Sequence, residues 1–277
     1  MRPPLVVGFD LDLTLIDSRL GIAATYRALA ARTGVFIDAD AAVRRLGPPL
    51  EMELGLWFPA ERVAGAAELF REMYPDYAVS GSPALPGAME AFTAVRDRGG
   101  TVVVITGKYE PNARLHLNHL GLTAEAVVGW AWGADKTIAM RAHGAIVYVG
   151  DHPADMAAAR AVADEADEAG LVVAAVAVAT GDHGPAELLS AGAHAVLTDL
   201  TEFPAWLDAH LGSATTERGT SEAEATGVAG SATTERGTSE AEATGVAGSP
   251  TTERGTSEAE ATGVARSADL GWVGLDG

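Results

Sequence analysis

The N-terminal segment VVGFDLDLTLIDS, Val6 to Ser18, joins a short apolar run to a cluster of acidic side chains. The apolar run is typical of a buried strand, and Asp10 and Asp12 follow it directly. Unpaired carboxylates are costly near a protein interior, so a pair of them at a strand end indicates a chemical function. Carboxylates in such a position can act as a nucleophile, as a general acid and base, or as metal ligands.

Polar residues also follow three later apolar runs. Thr106-Gly107-Lys108 comes after the second run, Lys136 after the third, and the segment Asp151 to Asp155 after the fourth. Ligands of an open parallel sheet bind beyond the carboxyl ends of its strands, so we expect these side chains at one edge. Neighbouring carboxylates raise each other's pKa values, and a hard divalent cation with oxygen ligands, such as Mg²⁺, would compensate for their charge.

The elements that must position these residues alternate between β-branched runs and helical patterns. This order predicts an α/β fold: a Rossmann-like parallel sheet with helices on both faces. The predicted strands are Leu5–Phe9, Thr101–Ile105, Val127–Val128 with its neighbours, Ala145–Val149, Leu171–Ala177 and Ala193–Leu197. The predicted helices between them are Ala88–Arg98, Pro111–Leu120, Lys136–His143 and Pro153–Glu168.

Residues 17–80 interrupt this alternation, because they contain helical patterns and no convincing strand. The predicted helices here are Leu20–Arg32, Ala41–Leu46 and Glu61–Met73. We interpret the segment as an α-helical cap inserted after the first strand. Residues 1–16 and 81–211 then form the α/β core.

The C-terminal residues 212–277 contain three near-identical copies of an 18-residue unit, GSATTERGTSEAEATGVA. Each copy has one valine as its only large apolar residue, so it cannot bury enough surface to offset the entropy cost of ordering. We therefore predict a disordered, low-complexity tail rather than a stacked repeat structure, whose units would need apolar faces.

The chain of 277 residues has a net charge of −19, of which −12 lies on residues 1–211. Such an acidic core would repel nucleic-acid phosphates and anionic membrane surfaces, so we expect neither as a partner. There is no cysteine and no long apolar run that could span a bilayer. We expect a cytoplasmic protein, a monomer or homodimer, that acts on a small diffusible molecule.

The order of the four motifs, DLDLT, VVVITG, a lysine after the third strand and VGDHPAD, resembles the haloacid dehalogenase superfamily of phosphohydrolases. The resemblance covers residues 3–211. Thr14 and Thr106 are 92 residues apart, whereas Thr106 and Lys136 are 30 apart, so the cap lies between the first and second motifs. The helical segment, with LGPPLE and PALPG, is similar to the phosphoglycolate phosphatase-type branch, which has a small helical cap.

This resemblance implies a role for each matching residue. Asp10 would be the nucleophile that forms an aspartyl-phosphate, and Asp12 would be the general acid and then the general base. Thr106, Gly107 and Lys136 would bind the transferring phosphoryl group. The substrate would be a small phosphomonoester, with a phosphoglycolate-like metabolite as the first candidate.

The resemblance also implies a magnesium site. Mg²⁺ would be bound by Asp10, the backbone carbonyl of Asp12, Asp151, and Asp155 either directly or through a second shell. Lys108 follows the second motif and is a candidate contact for an anionic substrate.

Three alternatives remain at this stage. A sugar phosphomutase of the same fold would use the same aspartates, and only product analysis separates it from a phosphatase. A phospho-receiver signalling domain also clusters aspartates, a threonine and a lysine, but its acidic pair is usually adjacent in sequence. A non-catalytic binding protein is disfavoured because every motif position holds a competent residue.

Overall fold

A computed structural model describes residues 4–167 and 173–212 of the chain. Within these residues, six parallel strands form one sheet in the order β3-β2-β1-β4-β5-β6. The strands are β1 Val6–Phe9, β2 Thr101–Ile105, β3 Ala126–Val128, β4 Val147–Gly150, β5 Ala174–Val178 and β6 Ala195–Leu197. The predicted α/β fold with a Rossmann-like parallel sheet is confirmed. The predicted tail lies outside the described residues beyond Gly212.

Helices occupy the connections between the strands. They are α1 Arg19–Thr33, α2 Ala39–Val43, α3 Leu50–Leu54, α4 Ala60–Tyr77, α5 Ala88–Asp97, α6 Glu110–Leu120, α7 Ala134–His143, α8 Pro153–Asp167 and α9 Pro185–Ser190. A 3₁₀ turn at Leu200–Glu202 precedes a helical stretch over residues 203–212. No described helix combines the length and the apolar character needed to cross a membrane.

The central strands β1, β2, β4 and β5 are buried on both faces except at one terminal residue of β2, which explains their valine-rich sequences. Strand β1 lies in the middle of the sheet, with Val7 opposite Val102 of β2 and Val147 of β4. Two apolar clusters cover the two faces of the sheet. This arrangement fixes the carboxyl end of β1 at the centre of one sheet edge.

Helices α1 to α4 lie between β1 and α5, in the segment that we interpret from the sequence as an inserted cap, and we call them the cap. They share an apolar cluster of their own, in which Tyr26 of α1 packs on Phe70 of α4 at a ring distance of 4.8 Å. Phe70 in turn packs on Tyr74 at 5.8 Å. The cap therefore has an interior of its own, next to the carboxyl ends of the strands.

Several elements differ from their predictions in their bounds, and helices α3 and α9 were not predicted. Helix α2 begins earlier than predicted, because the Asp38 side chain accepts a hydrogen bond from Ala41 and caps the helix. Helix α4 continues past Met73 through Pro75, which lies in its last turn, where a missing amide hydrogen costs one helical hydrogen bond. The five-residue helix α3 was not predicted, since a single turn carries too little periodicity to recognise.

Candidate active site

The loop after β1 places two aspartates in different environments. The Asp10 amide continues the sheet pattern by donating to the Val149 carbonyl at 2.9 Å, which keeps Asp10 buried. Asp12 is more exposed. Leu13, the residue after Asp12, adopts a left-handed backbone with φ 57°. Its carbonyl accepts a hydrogen bond from the Thr180 hydroxyl.

Asp10 faces a buried lysine. The Lys136 ammonium, in the first turn of α7, lies 3.1 Å from Asp10 Oδ1 and 2.5 Å from Asp155 Oδ1. Burial alone would lower the pKa of Lys136, but the carboxylates of Asp10 and Asp155 outweigh it and raise that pKa well above its usual value. Lys136 therefore carries a permanent positive charge beneath the two aspartates.

Asp151 joins this group from the end of β4. Its Oδ1 atom accepts a hydrogen bond from the Thr14 hydroxyl at 3.0 Å. Asp10, Asp151 and Asp155 each offer one carboxylate oxygen, and these oxygens lie within 4.8 Å of one another. We refer to these three residues as the acidic triad.

The glycines beside the triad leave room for its carboxylates. A side chain at Gly150 would meet Asp155 Oδ2 at 2.3 Å, and one at Gly181 would meet Asp151 Oδ2 at 2.1 Å. Both distances are too short for a Cβ atom. The backbone therefore approaches the triad at two points where only glycine can be accommodated without a shift of the carboxylates.

The acidic triad fits a divalent cation. Burial, and then the other carboxylates, raise the pKa of Asp10 to about 6, although Lys136 opposes the shift. Burial and its acidic neighbours raise the pKa of Asp151 well above its usual value. Asp10 Oδ1 is buried without a hydrogen bond from any described residue. Because hard cations take clustered carboxylate oxygens as ligands, the charges and the closely spaced oxygens of the acidic triad suit Mg²⁺.

Asp12 belongs to a different charge pair. The Lys108 ammonium lies 3.0 Å from Asp12 Oδ1 and donates a hydrogen bond to the Tyr74 hydroxyl at 2.7 Å. Burial would raise the pKa of Asp12, but the Lys108 charge and the hydrogen bonds from Ser18 and Lys108 together outweigh it, and the pKa lies below its usual value. Tyr74, on the cap helix α4, thus connects the cap to the aspartate predicted as the acid and base.

This connection continues to a buried histidine. The Tyr74 hydroxyl lies 2.8 Å from His116 Nε2, and His116 Nδ1 is buried without a hydrogen bond from the described residues. Burial, and then the Lys108 charge, lower the pKa of His116 to about 4, so the ring is neutral near pH 7. The Tyr74 hydroxyl can then accept from Lys108 and donate to His116.

The loop after β2 supplies the remaining motif residues. Thr106 is buried, and its hydroxyl accepts a hydrogen bond from the Lys108 amide at 3.2 Å. A side chain at Gly107 would come within 3.1 Å of the Gly47 carbonyl, so Gly107 lies directly against the Gly47 loop of the cap. The loop after β2 is therefore enclosed by the cap.

A cavity of about 90 Å³ lies between the cap and the strand ends. Its lining includes Asp10, Asp12, Thr106, Gly107, Lys108 and Asp151 from the core, and Ile22, Tyr26, Leu46, Leu50 and Phe70 from the cap. Lys136 and Asp155 do not line it. The cavity is thus charged at the sheet edge and largely apolar on the cap side, apart from Glu51 and Arg71.

Other polar residues considered from the sequence lie in different surroundings. His152 lines the cavity and packs against Trp132 and His183 at ring distances of 5.0 Å and 4.5 Å. Arg45 pairs with Glu53 within the cap and does not line the cavity. Neither the sequence motifs nor their spacing indicated Tyr74 and His116.

The arrangement matches a known family. The family HAD, described as haloacid dehalogenase-like hydrolase, matches residues 7–160, more than half of the chain. This chain belongs to the haloacid dehalogenase-like hydrolases. The match includes all four motifs and the inserted cap.

Two curated relatives share part of the chain. IndB of Dickeya dadantii, named as a phosphatase, is 33% identical over 126 residues, 43% of this chain and 54% of IndB. PtkA of Mycobacterium tuberculosis, named as a tyrosine-protein kinase, is 31% identical over 120 residues, 43% of this chain and 41% of PtkA. The chain thus aligns with about half or less of each relative, and the two relatives are named for different activities.

Solved structures share the fold. A haloacid dehalogenase-like hydrolase from Bacteroides fragilis superposes with a TM-score of 0.61 and 20% identity, covering 73% of this chain and all of that one. At this identity the similarity establishes the architecture alone.

Proposed function

We propose that the protein is a magnesium-dependent phosphatase that hydrolyses a small phosphomonoester through an aspartyl-phosphate. The observation that carries this proposal is the acidic triad beside Lys136, with Asp10 lining the cavity between the cap and the strand ends. Membership of the hydrolase family supports the reaction class.

Asp10 is the nucleophile in this proposal. Its carboxylate lines the cavity and attacks phosphorus in line with the departing alkoxide, which forms the acyl phosphate and breaks the ester bond. Lys136, 3.1 Å away, stabilises the ionised carboxylate from behind and offsets charge at the reacting centre. Thr106 and Gly107 line the same end of the cavity and bind the phosphoryl oxygens.

Asp12 transfers the protons. In the first step it protonates the leaving alkoxide, and in the second it takes a proton from the water that attacks phosphorus and releases phosphate from Asp10. Lys108 favours the ionised form of Asp12, which is the form required of a base. A bound phosphoryl dianion raises the pKa of a neighbouring carboxyl group, which favours the protonated form required of the acid.

The acidic triad and the Asp12 carbonyl would hold Mg²⁺. When bound, the ion would neutralise charge on the phosphoryl oxygens and on the aspartates. Asp155 already accepts hydrogen bonds from Lys136 and from the His152 amide, so we assign it mainly to orienting its neighbours. Asp10 and Asp151 are the two members of the triad that line the cavity.

The test measures phosphate release by the wild type and by Asp10→Asn, with Mg²⁺ and with a chelator. The substrate panel contains phosphoglycolate, sugar phosphates, nucleoside monophosphates and an aryl phosphate. We expect metal-dependent turnover that falls by about 1,000-fold or more in Asp10→Asn, because the neutral amide cannot form the acyl phosphate. As a matched control, Asp17→Asn removes a carboxylate that pairs with Arg19 outside the triad.

Two further measurements make the result specific. In Asp12→Asn, which lacks the base, mass spectrometry after incubation with the aryl phosphate, whose leaving group needs no general acid, should find one phosphoryl group on Asp10. Product analysis should find free phosphate and alcohol, whereas a sugar phosphate isomer would indicate a mutase. Absence of metal-dependent phosphate release from every compound, with the fold intact, would refute the proposed function.

A further inference from the structure

The cavity contains a second group of polar and aromatic residues, which comes partly from the cap and partly from the segments that follow β2 and β3. Arg71 of α4, Glu51 of α3 and Asn112 of α6 all line the cavity, together with the rings of Tyr109 and Trp130. We call these five residues the Arg71 subsite. The proposed mechanism gives none of them a role.

Arg71 is held firmly in this subsite. Its guanidinium carbon lies 4.3 Å from the centre of the Trp130 ring and 5.6 Å from that of Tyr109, and its Nη2 atom donates to Glu51. The Arg71 side chain is only 16% exposed. A stacked guanidinium of this kind has a fixed orientation for its remaining donors.

One polar group of the subsite has unused hydrogen-bonding capacity. Arg71 Nε is buried and has no acceptor among the described residues. The Asn112 side chain, which is 4% exposed, lines the same cavity. Because buried polar groups are nearly always satisfied, the Arg71 Nε donor indicates that a ligand supplies its acceptor.

The backbone of the subsite supports the same conclusion. Trp130 has a left-handed backbone with φ 60°, which costs free energy for a bulky residue, yet 49% of it is exposed. A side chain at the preceding Gly129 would come within 2.5 Å of the Glu110 amide nitrogen. Strain of this kind is concentrated at ligand sites, where it holds a side chain in a required position.

The charges in the cavity define what the ligand can be. Among the described lining residues, the two permanent cations are Lys108, paired with Asp12, and Arg71, paired with Glu51. The described lining residues therefore offer no unpaired permanent cation to an anionic group of the substrate other than its phosphate. The subsite instead offers donors from Arg71 and Asn112 and acceptors from Glu51 and Asn112 with no net charge, which suits a group that both accepts and donates.

We propose that the Arg71 subsite binds the alcohol part of the substrate, and that this alcohol is uncharged and carries at least one hydroxyl group besides the ester oxygen. A hydroxyl oxygen accepts from Arg71, and its proton is donated to Glu51 or Asn112. The small cavity restricts the alcohol to a short chain. This inference rests on the proposed phosphatase function and separates hydroxylated substrates from phosphoglycolate, which carries a carboxylate.

The first test compares substrates that differ only in this group. Glycerol 3-phosphate is paired with 3-phosphoglycerate, and 2-hydroxyethyl phosphate with phosphoglycolate; in each pair a hydroxymethyl group replaces a carboxylate. We expect kcat/KM of the wild type to favour the hydroxylated member of each pair by about tenfold or more, since a buried carboxylate without its own cation is disfavoured. A preference for the carboxylates would overturn the proposal.

The second test changes the charge of the subsite. Glu51→Gln keeps an acceptor for Arg71 but leaves the guanidinium charge unpaired. The ratio of kcat/KM values within each substrate pair should therefore move toward the carboxylate member by about tenfold. Asp40→Asn is the control, because it removes a cap carboxylate from the exposed pair with Arg27, away from the cavity. An unchanged ratio in Glu51→Gln would show that the subsite does not contact the alcohol.

Asn112→Ala gives an independent measurement. It should lower kcat/KM for glycerol 3-phosphate by about tenfold relative to methyl phosphate, which has no group that reaches the subsite. Equal losses on both compounds would contradict the assignment of Asn112. Hydrolysis of methyl or aryl phosphate without the expected selectivity would refute this inference alone, whereas no hydrolysis of any ester would refute the phosphatase as well.

Discussion

The two aspartate–lysine pairs of the site have almost the same length and different surroundings. Asp10 lies 3.1 Å from Lys136, and Asp12 lies 3.0 Å from Lys108. The first pair is contained within the α/β core and shares its lysine with Asp155. The second pair is connected to the cap through Tyr74.

The surroundings shift the pKa values of the two aspartates in opposite directions. Burial among other carboxylates raises the pKa of Asp10 to about 6, while the Lys108 ammonium and a hydrogen bond from Ser18 together overcome burial and lower the pKa of Asp12. An aspartate that attacks phosphorus needs a nearby cation to remain ionised. An aspartate that transfers protons instead needs a neighbouring group that can change its pKa during the reaction. The pair in the core therefore suits stabilisation of the charge on Asp10. In the pair linked to the cap, the substrate or the cap can adjust the pKa of Asp12.

The largest expected difference is between Lys136→Met and Lys108→Met. Removing Lys136 leaves Asp10 and Asp155 buried without their shared cation, so kcat should fall by about 1,000-fold or more. Removing Lys108 leaves the triad intact and should reduce kcat/KM by only about tenfold. Steady-state kinetics at saturating Mg²⁺ measures both, with circular dichroism as the check on folding. Equal losses would show that the two pairs do not have separate functions.

The neutral His116 behind the second pair predicts a specific pH dependence of stability. Its pKa is about 4 in the folded protein and near 6.5 when unfolded, so between these values the unfolded chain binds the additional proton. This contribution to stability is complete above about pH 6.5 and is lost as the pH falls toward 4.

The variant His116→Gln removes this titration and retains an acceptor for Tyr74. The difference in unfolding free energy between wild type and variant should change by about 3 kcal/mol between pH 7 and pH 4. Urea denaturation at several pH values measures it, and the subtraction cancels the titration of the acidic triad. A difference that is constant with pH would mean that His116 is not held neutral.

The cap connection itself is tested by a double-mutant cycle. Tyr74→Phe keeps the ring that packs against Lys108 at 4.7 Å and removes only the hydroxyl. We expect a loss in kcat of up to about tenfold, and the losses of Tyr74→Phe and Lys108→Met should not add, because both break one hydrogen bond. Additive effects would separate Tyr74 from the function of Lys108.

The core side of the site could be predicted from the sequence for a physical reason. In a parallel sheet, the residue after each strand reaches the same edge whatever the intervening helices do. Asp10, Thr106 and Asp151 follow β1, β2 and β4, and each lines the cavity. Lys136 is in the first turn of α7, which begins at the same edge. Strand recognition was therefore sufficient to bring these residues together.

The cap side could not be predicted in this way. Tyr74, Arg71 and Glu51 reach the cavity from helix faces, and which face meets the core depends on how the cap packs. Helix α4 carries polar residues on several faces, so its sequence alone does not distinguish Arg71 from Arg62. Lys108 was a candidate substrate contact, but its pairing with Asp12 and Tyr74 requires a tyrosine that is 34 residues away.

Leu13 lies at the meeting point of these two parts and carries the smallest expected effect. It lines the cavity, is 3% exposed, and has a left-handed backbone with φ 57°. Its side chain contributes apolar burial, while its backbone conformation costs about 1 to 2 kcal/mol for a residue with a Cβ atom. The leucine is therefore stabilising through its side chain and destabilising through its backbone.

The variants Leu13→Ala and Leu13→Gly separate these effects. Both lose the buried side chain, but only glycine also relieves the backbone strain, so the glycine variant should be the more stable of the two by about 1 kcal/mol despite its more flexible unfolded chain. Elsewhere in a protein the alanine variant is normally the more stable. Urea denaturation of the two variants under the same conditions measures the order, and a more stable alanine variant would show that the loop relaxes away from the left-handed conformation when the side chain is removed.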